Sequence, residues 1–567
     1  LQNQNYTTAT DAYNTAVGHE AGNDITTGTR NTLIGGLAGD ALTTGDRNVA
    51  MGYASLSSDD VGRKSVAIGY QTLQSQNFAT TTESFNTAVG YDAGQSVTTG
   101  TQNTFIGALS GDAVTDADWN VALGYRSLSS NTVGSKSVAL GAYALDVQNP
   151  ATATDMFNVA VGHYAGQSVT TGVKNTFVGG LAGDAYDTSN NNVAVGYAAL
   201  SSDTKGTKNV AVGFEALLDQ NLTTNTDVYN VAVGYHAGTN VTTGIRNTLL
   251  GGLAADAVTT GQENTVVGYA ALTTDTKGQK SVAVGNSALQ NQNFTTATNS
   301  YNVAVGFEAG IAVTTGTVNT LIGGLSGDAL TTGAENTAVG YQSLGSATKS
   351  DNNVAIGNSA LEALNHTTQT DSYNTAVGYA AGAAVTTGIN NTLLGGLAGD
   401  ALTDADFNIA VGTYALTSDT LGSRSVAIGR SALAAQNFTT ATDAYNVAVG
   451  HEAGQAVSTG TSNTFIGRQA GVSTNSGLNN TAVGYDALGN VTTGDGNVGI
   501  GISSGADAGV NITSEDNRGI FGHNAITNAY VKVDWTVTSD ARDKMNFAEV
   551  PHGLSFVNDL QPIKFIF

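Results

Sequence analysis

No cysteine occurs in the 567 residues, so no disulfide framework holds this chain and thiols say nothing about its redox compartment. Proline is nearly as scarce, 3 residues against 72 glycines, and no Gly-X-Y triplet runs through them, which excludes collagen. Charged residues make up only 12%, and Asp and Glu outnumber Lys and Arg by 45 to 21, giving a net charge of −24. That balance argues against nucleic acid or an anionic membrane surface as the main partner. No apolar run approaches the roughly 18 residues of a membrane helix, so no span is expected. No signal peptide is visible. Leu1 to Tyr13 aligns in phase with Leu73 to Phe85, so the chain opens in mid-repeat and more of it is expected upstream.

What fills the chain is one pattern. Asn14-Thr15-Ala16-Val17-Gly18 returns with its closing glycine at Gly35, Gly52, Gly69 and Gly90, in steps of 17, 17, 17 and 21 residues. The resulting cycle of 72 residues repeats to Gly522, making 29 pentads. Asn86, Val89 and Gly90 open the second cycle as Asn14, Val17 and Gly18 open the first. The fourth position is apolar in all 29 and the first is Asn in 24. A chain this regular is a repeat protein.

The pentad is short, β-branched and closed by glycine, which suits a strand and not a helix. Alternation puts positions 2 and 4 on one face and position 3 on the other. Both faces are mostly apolar, and a strand apolar on both faces is normally buried on both. A thin solenoid has one interior, so the second face is expected to meet another copy of the chain. The glycine suits a corner with positive φ or close backbone approach. The asparagine suits left-handed backbone and an amide bonded to the next rung. A second segment, Ile25-Thr26-Thr27-Gly28, reads as another short strand with its own corner. Stacking at about 4.8 Å, 28 intervals give a rod of roughly 130–140 Å.

The fourth step carries four extra residues, as in Gln76-Asn77-Phe78-Ala79-Thr80, and ends on an aromatic: Tyr13, Phe85, Phe157 and Tyr229 in the first cycles. That aromatic is expected to cover a gap in packing, with a shallow ladder of sugar sites as the rival reading. Leu33, Phe105 and Phe177 recur at position 3 of the second pentad. Asp203 falls in an expected solvent loop. Asp112, Asp116 and Asp118, like Asp400, Asp404 and Asp406, read as turn residues before calcium ligands. His19, His163 and His451 share one phase that tyrosines fill elsewhere, so packing is expected of them before metal binding. No metal, cofactor, nucleotide loop or Ser-His-Asp set is implied, and the shaft is not expected to be an enzyme. A seven-bladed propeller is set aside because all four pentads of a cycle share one pattern.

Residues 1–522 therefore read as the repeat shaft and 523–538 as a neck with a strand over 530–538. A new module of different composition starts at 539–567, with a short helix expected over 552–560.

Two family resemblances follow. The pentads, especially Ser65-Val66-Ala67-Ile68-Gly69 and Ser425-Val426-Ala427-Ile428-Gly429, resemble the head repeats of trimeric autotransporter adhesins. That resemblance implies three chains of left-handed parallel β-roll around one axis. Thr538-Ser539-Asp540-Ala541-Arg542-Asp543-Lys544, with Gly553-Leu554 and Leu560-Gln561-Pro562, is similar to the start of the intramolecular chaperone domain of phage tail spikes and fibres. It implies a module that trimerises the fibre and cuts itself off before Ser539. Ser539 would be the nucleophile, Lys544 its general base, and Asp540 and Arg542 supporting residues. The fold expected is all-β, a homotrimeric parallel β-solenoid of about 17-residue coils. The function expected is the shaft of an extracellular fibre, foremost a phage tail fibre on a virion anchor with a host-surface glycan as candidate partner. A bacterial surface adhesin or extracellular filament is the alternative.

Overall fold

The computed structural model describes residues 1–507 and 509–532. Twenty-nine three-residue strands, one per pentad, form a single parallel sheet that runs the length of the shaft. Thr15, Ala16 and Val17 lie against Thr32, Leu33 and Ile34 of the next coil, and the register holds to Gly519–Phe521 against Val498–Ile500. It also holds across the longer step, where Val66 meets Thr87. The extra residues loop outward, and their only strand ladder is with the coil below, Thr82–Glu83 against Gly62–Arg63, an arrangement found in six two-stranded ladders among the described residues. Every ladder between strands of the described residues is parallel, which excludes the propeller. No helix is present among the described residues.

Position 3 of each pentad is the interior one. Ala50, Ala67 and Ala88 have no exposure, while positions 2 and 4 face outward. The large residue of the second coil has a packing reason. A β-carbon on Gly22 would stand 2.6 Å from Leu33 Cδ1, and one on Gly39 would stand 2.9 Å from Leu33 Cδ2. In the third and fourth coils position 3 shrinks to Ala50 and Ala67, and Leu56 and Leu73 stand where those glycines stood. Volume is thus exchanged between two positions of the coil, keeping the interior closely packed.

Both reasons for the corner glycine apply. Gly18 has φ +137°, and a β-carbon there would lie 2.4 Å from Gly35 O of the next coil. The left-handed residue expected at the pentad asparagine is instead the one before it: Tyr13 at φ 49°, Arg30 at 62°, Arg47 at 60°. The asparagine is turned inward by that bend. The second strand expected at Ile25–Gly28 is absent. Thr26, Thr27 and Gly28 all donate their N–H to Thr43 O, at 2.9, 3.2 and 3.2 Å. Three consecutive donors converging on one carbonyl bend the backbone, whatever the β-propensity of threonine.

Candidate functional site

The recurrent unit of the interior is a hydrogen-bonded corner. Asn14 Oδ1 accepts from Asn31 N at 2.8 Å, and Asn14 Nδ2 donates to Gly28 O of its own coil at 2.8 Å. Asn86 repeats this, accepting from Asn103 N at 2.9 Å and donating to Gly100 O at 2.8 Å. Each amide therefore ties two rungs together and closes one coil, and buried polar groups are left with partners. Gly90 turns the corner at φ +143°, while Val17 and Val89 point outward.

Beneath the insert at Gln76, and again at Gln220, Gln292 and Gln436, the corner expands into a buried polar cluster that sequence reasoning missed. Gln76 Nε2 donates to Asp59 Oδ2 at 2.6 Å and to Ser65 Oγ at 2.8 Å, and Gln76 Oε1 accepts from Asn86 Nδ2 at 2.9 Å. Asp59 Oδ1 accepts from Gly62 N at 2.9 Å. Burial pushes the Asp59 and Asp275 carboxyls above the ordinary aspartate range, against the downward pull of Gln76 and Gln292. Asp203 belongs to the same series and has no exposure, correcting the solvent loop expected for it. It accepts from Gln220 Nε2 and, at 3.0 Å, from the hydroxyl of Tyr186, whose own ionisation burial pushes well above its ordinary value. The signal was available: Asp59, Asp203, Asp275 and Asp419 recur in phase with Gln76, Gln220, Gln292 and Gln436.

The insert aromatics do not cover a gap. Phe85 is 47% exposed, with Lys64 Nζ 4.7 Å from its ring centroid and 2.7 Å from Glu83 Oε1. Tyr229, Lys208 and Asp227 repeat the arrangement, at 4.9 Å and 2.6 Å. The side chain that closes the insert over the coil is Phe78, 5% exposed, followed in phase by Leu222 and Phe294. With a cation on the ring and a carboxylate on the cation, these outer clusters are internally satisfied.

The acidic residues brace neighbouring coils. Asp118 Oδ1 accepts from Thr101 N at 2.7 Å, Asp112 Oδ1 from Ser129 Oγ at 2.6 Å, and Asp406 Oδ1 from Ile389 N at 2.8 Å. Asp400 and Asp404 accept from Thr417 and Thr387 in the same way. Among the described residues no three His, Asp or Glu side chains gather as a metal site. His19 and His163 stand exposed on the outer edge of the sheet. A cavity of about 600 Å³ lined by Ile512, Arg518 and Phe521 marks where the regular stack gives way. Ser539, Asp540, Arg542 and Lys544 lie outside the described residues, as do the expected strand beyond residue 532 and the expected helix.

The outward face of the sheet is the other continuous surface. Position 4 presents Val17 at 59% exposure, Leu123 at 48% and Val233 at 39%, with Val or Thr beside it at position 2. No protein family matches this chain, and no curated protein resembles it.

Proposed function

We propose that the chain is the structural shaft of a homotrimeric extracellular fibre. The observation that carries this reading is the unbroken apolar stripe on the outward face of a 29-stranded sheet. A strand about 10 Å wide, repeated at about 4.8 Å, makes a face of roughly 1,400 Å² per chain, and the position-4 half of it, apolar throughout, is roughly 700 Å². Ordinary monomers expose apolar patches of about 300–600 Å², and a stable interface buries about 800 Å² per partner. Copies of the same chain lying parallel supply a matching stripe at every level. Three copies is the number implied by both family resemblances.

In this reading the shaft spaces a recognition tip from an upstream anchor, and carries no turnover chemistry of its own. Phage tail fibre is the first assignment, supported by the Ser539-to-Lys544 motif. It brings with it a C-terminal chaperone that assembles the trimer and releases itself once, a virion location and a host glycan as target. A bacterial surface adhesin or filament is the second, supported by the pentads alone. Sedimentation of the full chain tests the core of the proposal: three chains in an elongated particle are expected, and a monomer overturns it.

A further inference from the structure

On the second coil of a cycle the residue after the pentad glycine is small: Gly36, Ala108, Gly180 and Gly252 in the first four cycles. Above each glycine notch leans a tyrosine of the next coil. Tyr53 Cδ2, Tyr197 Cδ2 and Tyr269 Cδ2 each stand 3.6 Å from where a β-carbon would be on Gly36, Gly180 and Gly252. These rings are open to solvent, Tyr197 at 50%. The last cycle shows what such a notch holds. There the small residue is replaced by Arg468, and its guanidinium sits 5.3 Å from the centroid of Tyr485, the tyrosine of the following coil.

A second change accompanies the first. At the opposite edge of the same coils, just before the pentad, the first, third and fourth cycles carry Arg30, Lys174 and Arg246. Opposite Arg468 that position shrinks to Ser462. No cycle carries a cation at both positions, and the second, fifth and sixth, with Gln102, Val318 and Asn390, carry one at neither. The whole pentad separates the two positions, a span of roughly 20 Å in one chain. Arg30 and Lys174 are exposed and make no ion pair or ring contact among the described residues. Arg246 reaches only Glu263.

We propose that the notches at Gly36, Gly180 and Gly252 are seats for a second copy of the chain, whose Arg30, Lys174 and Arg246 enter them at the same level of the shaft. The cation rests on the face of Tyr53, Tyr197 or Tyr269, as Arg468 rests on Tyr485 within its own chain. One edge of each chain gives and the other receives, a heterologous contact that closes into a ring. This inference rests on the trimer reading and adds to it which edges meet and in what register.

The test copies the last cycle into the others. Gly36, Gly180 and Gly252 have no left-handed φ, so arginine fits their backbone. The full chain carrying Gly36→Arg, Gly180→Arg and Gly252→Arg is expected to lose most of its trimer in sedimentation, because each seat is filled from within. Adding Arg30→Ser, Lys174→Ser and Arg246→Ser is expected to restore it. In the cysteine-free background, Lys174→Cys with Gly180→Cys is expected to give covalent trimers with a short bismaleimide, and neither single variant should. Wild-type trimers combined with no rescue and no cross-link overturn the seats and leave the trimer standing. A monomeric wild type overturns the trimer reading itself, and the seats with it.

Discussion

Gln76 Nε2 stands 2.6 Å from Asp59 Oδ2 in the sealed interior of the shaft, and four cycles later both residues have gone together, replaced by Leu364 and Ala347. At the position of Ser65 stands Asn353, as Asn209 stands beside a retained Asp203 and Gln220; Asn353 accepts its neighbour's N–H and donates to Asp351 O at 3.0 Å. The chain thus contains its own record of a substitution made in concert. Removing one member of a buried pair strands the other, whereas an apolar replacement of both leaves nothing unpaired.

Asp59→Ala and Gln76→Leu, each alone, are therefore expected to lower stability by about 1–3 kcal/mol. Combined with Ser65→Asn, the two together should recover most of that loss. A thermal double-mutant cycle reads the coupling, and strict additivity of the losses would show that the pair is not a unit.

Acid should strengthen the coil stack before it weakens it. Burial raises the carboxyls of Asp59, Asp275, Asp184 and Asp112 above their unfolded values. The folded chain therefore binds more protons than the unfolded one between the unfolded and folded values, and stability rises as pH falls through that window. Glu83 and Asp227 run the other way: their Lys64 and Lys208 hydrogen bonds lower them, so their contribution fades only at still lower pH. The melting temperature is expected to climb as pH falls from neutral toward the ordinary aspartate value, less steeply in Asp59→Asn. A steady fall over that range would contradict the assignment.

Folding and association should separate at two positions. Val233 faces outward, so Val233→Asp is expected to leave the coil stack within about 1 kcal/mol of wild type while abolishing the trimer, where the charge would be buried. Asp203→Ala strands Gln220 and Tyr186 inside the coil and should lower the melting of the stack itself. Circular dichroism follows the stack and sedimentation the assembly. Trimers of normal stability in Val233→Asp would remove the outward face from the interface.

The C-terminal motif makes a covalent prediction. In a chain carrying the complete C-terminal module, the wild type is expected to yield a new N-terminus at Ser539. Ser539→Ala and Lys544→Ala should stay full length yet still form trimers, because the serine needs a lysine amine held neutral by a folded site. Intact mass measures this directly. Full-length wild type in well-formed fibres would make the module a retained cap.

The period, the parallel stacking and the corner glycines were legible because a repeat shows each constraint 29 times. Less legible was anything decided across coils. The threonines of Ile25–Gly28 look like a strand until Thr43 O is seen collecting their donors. Alternation separated Ala16 from Thr15 and Val17 without saying which side was interior, and the inward turn at Tyr13 settles it. Asp203 looked like a turn residue because its partner Gln220 sits 17 positions away, beyond the window in which a local motif is read.

That same offset governs what happens when the chain is cut. Asn86, Thr87 and Gly90 are held by Asn103, Gly107 and their counterparts one coil away, and hardly at all by their sequence neighbours. Residues 79–81 of the insert are exposed and offer a protease its opening. A scission there leaves each new end pinned to coils above and below by bonds the cut does not touch. The shaft would show two bands under denaturing conditions and one particle without them, so its mechanical continuity resides in the stack and not in the unbroken polypeptide.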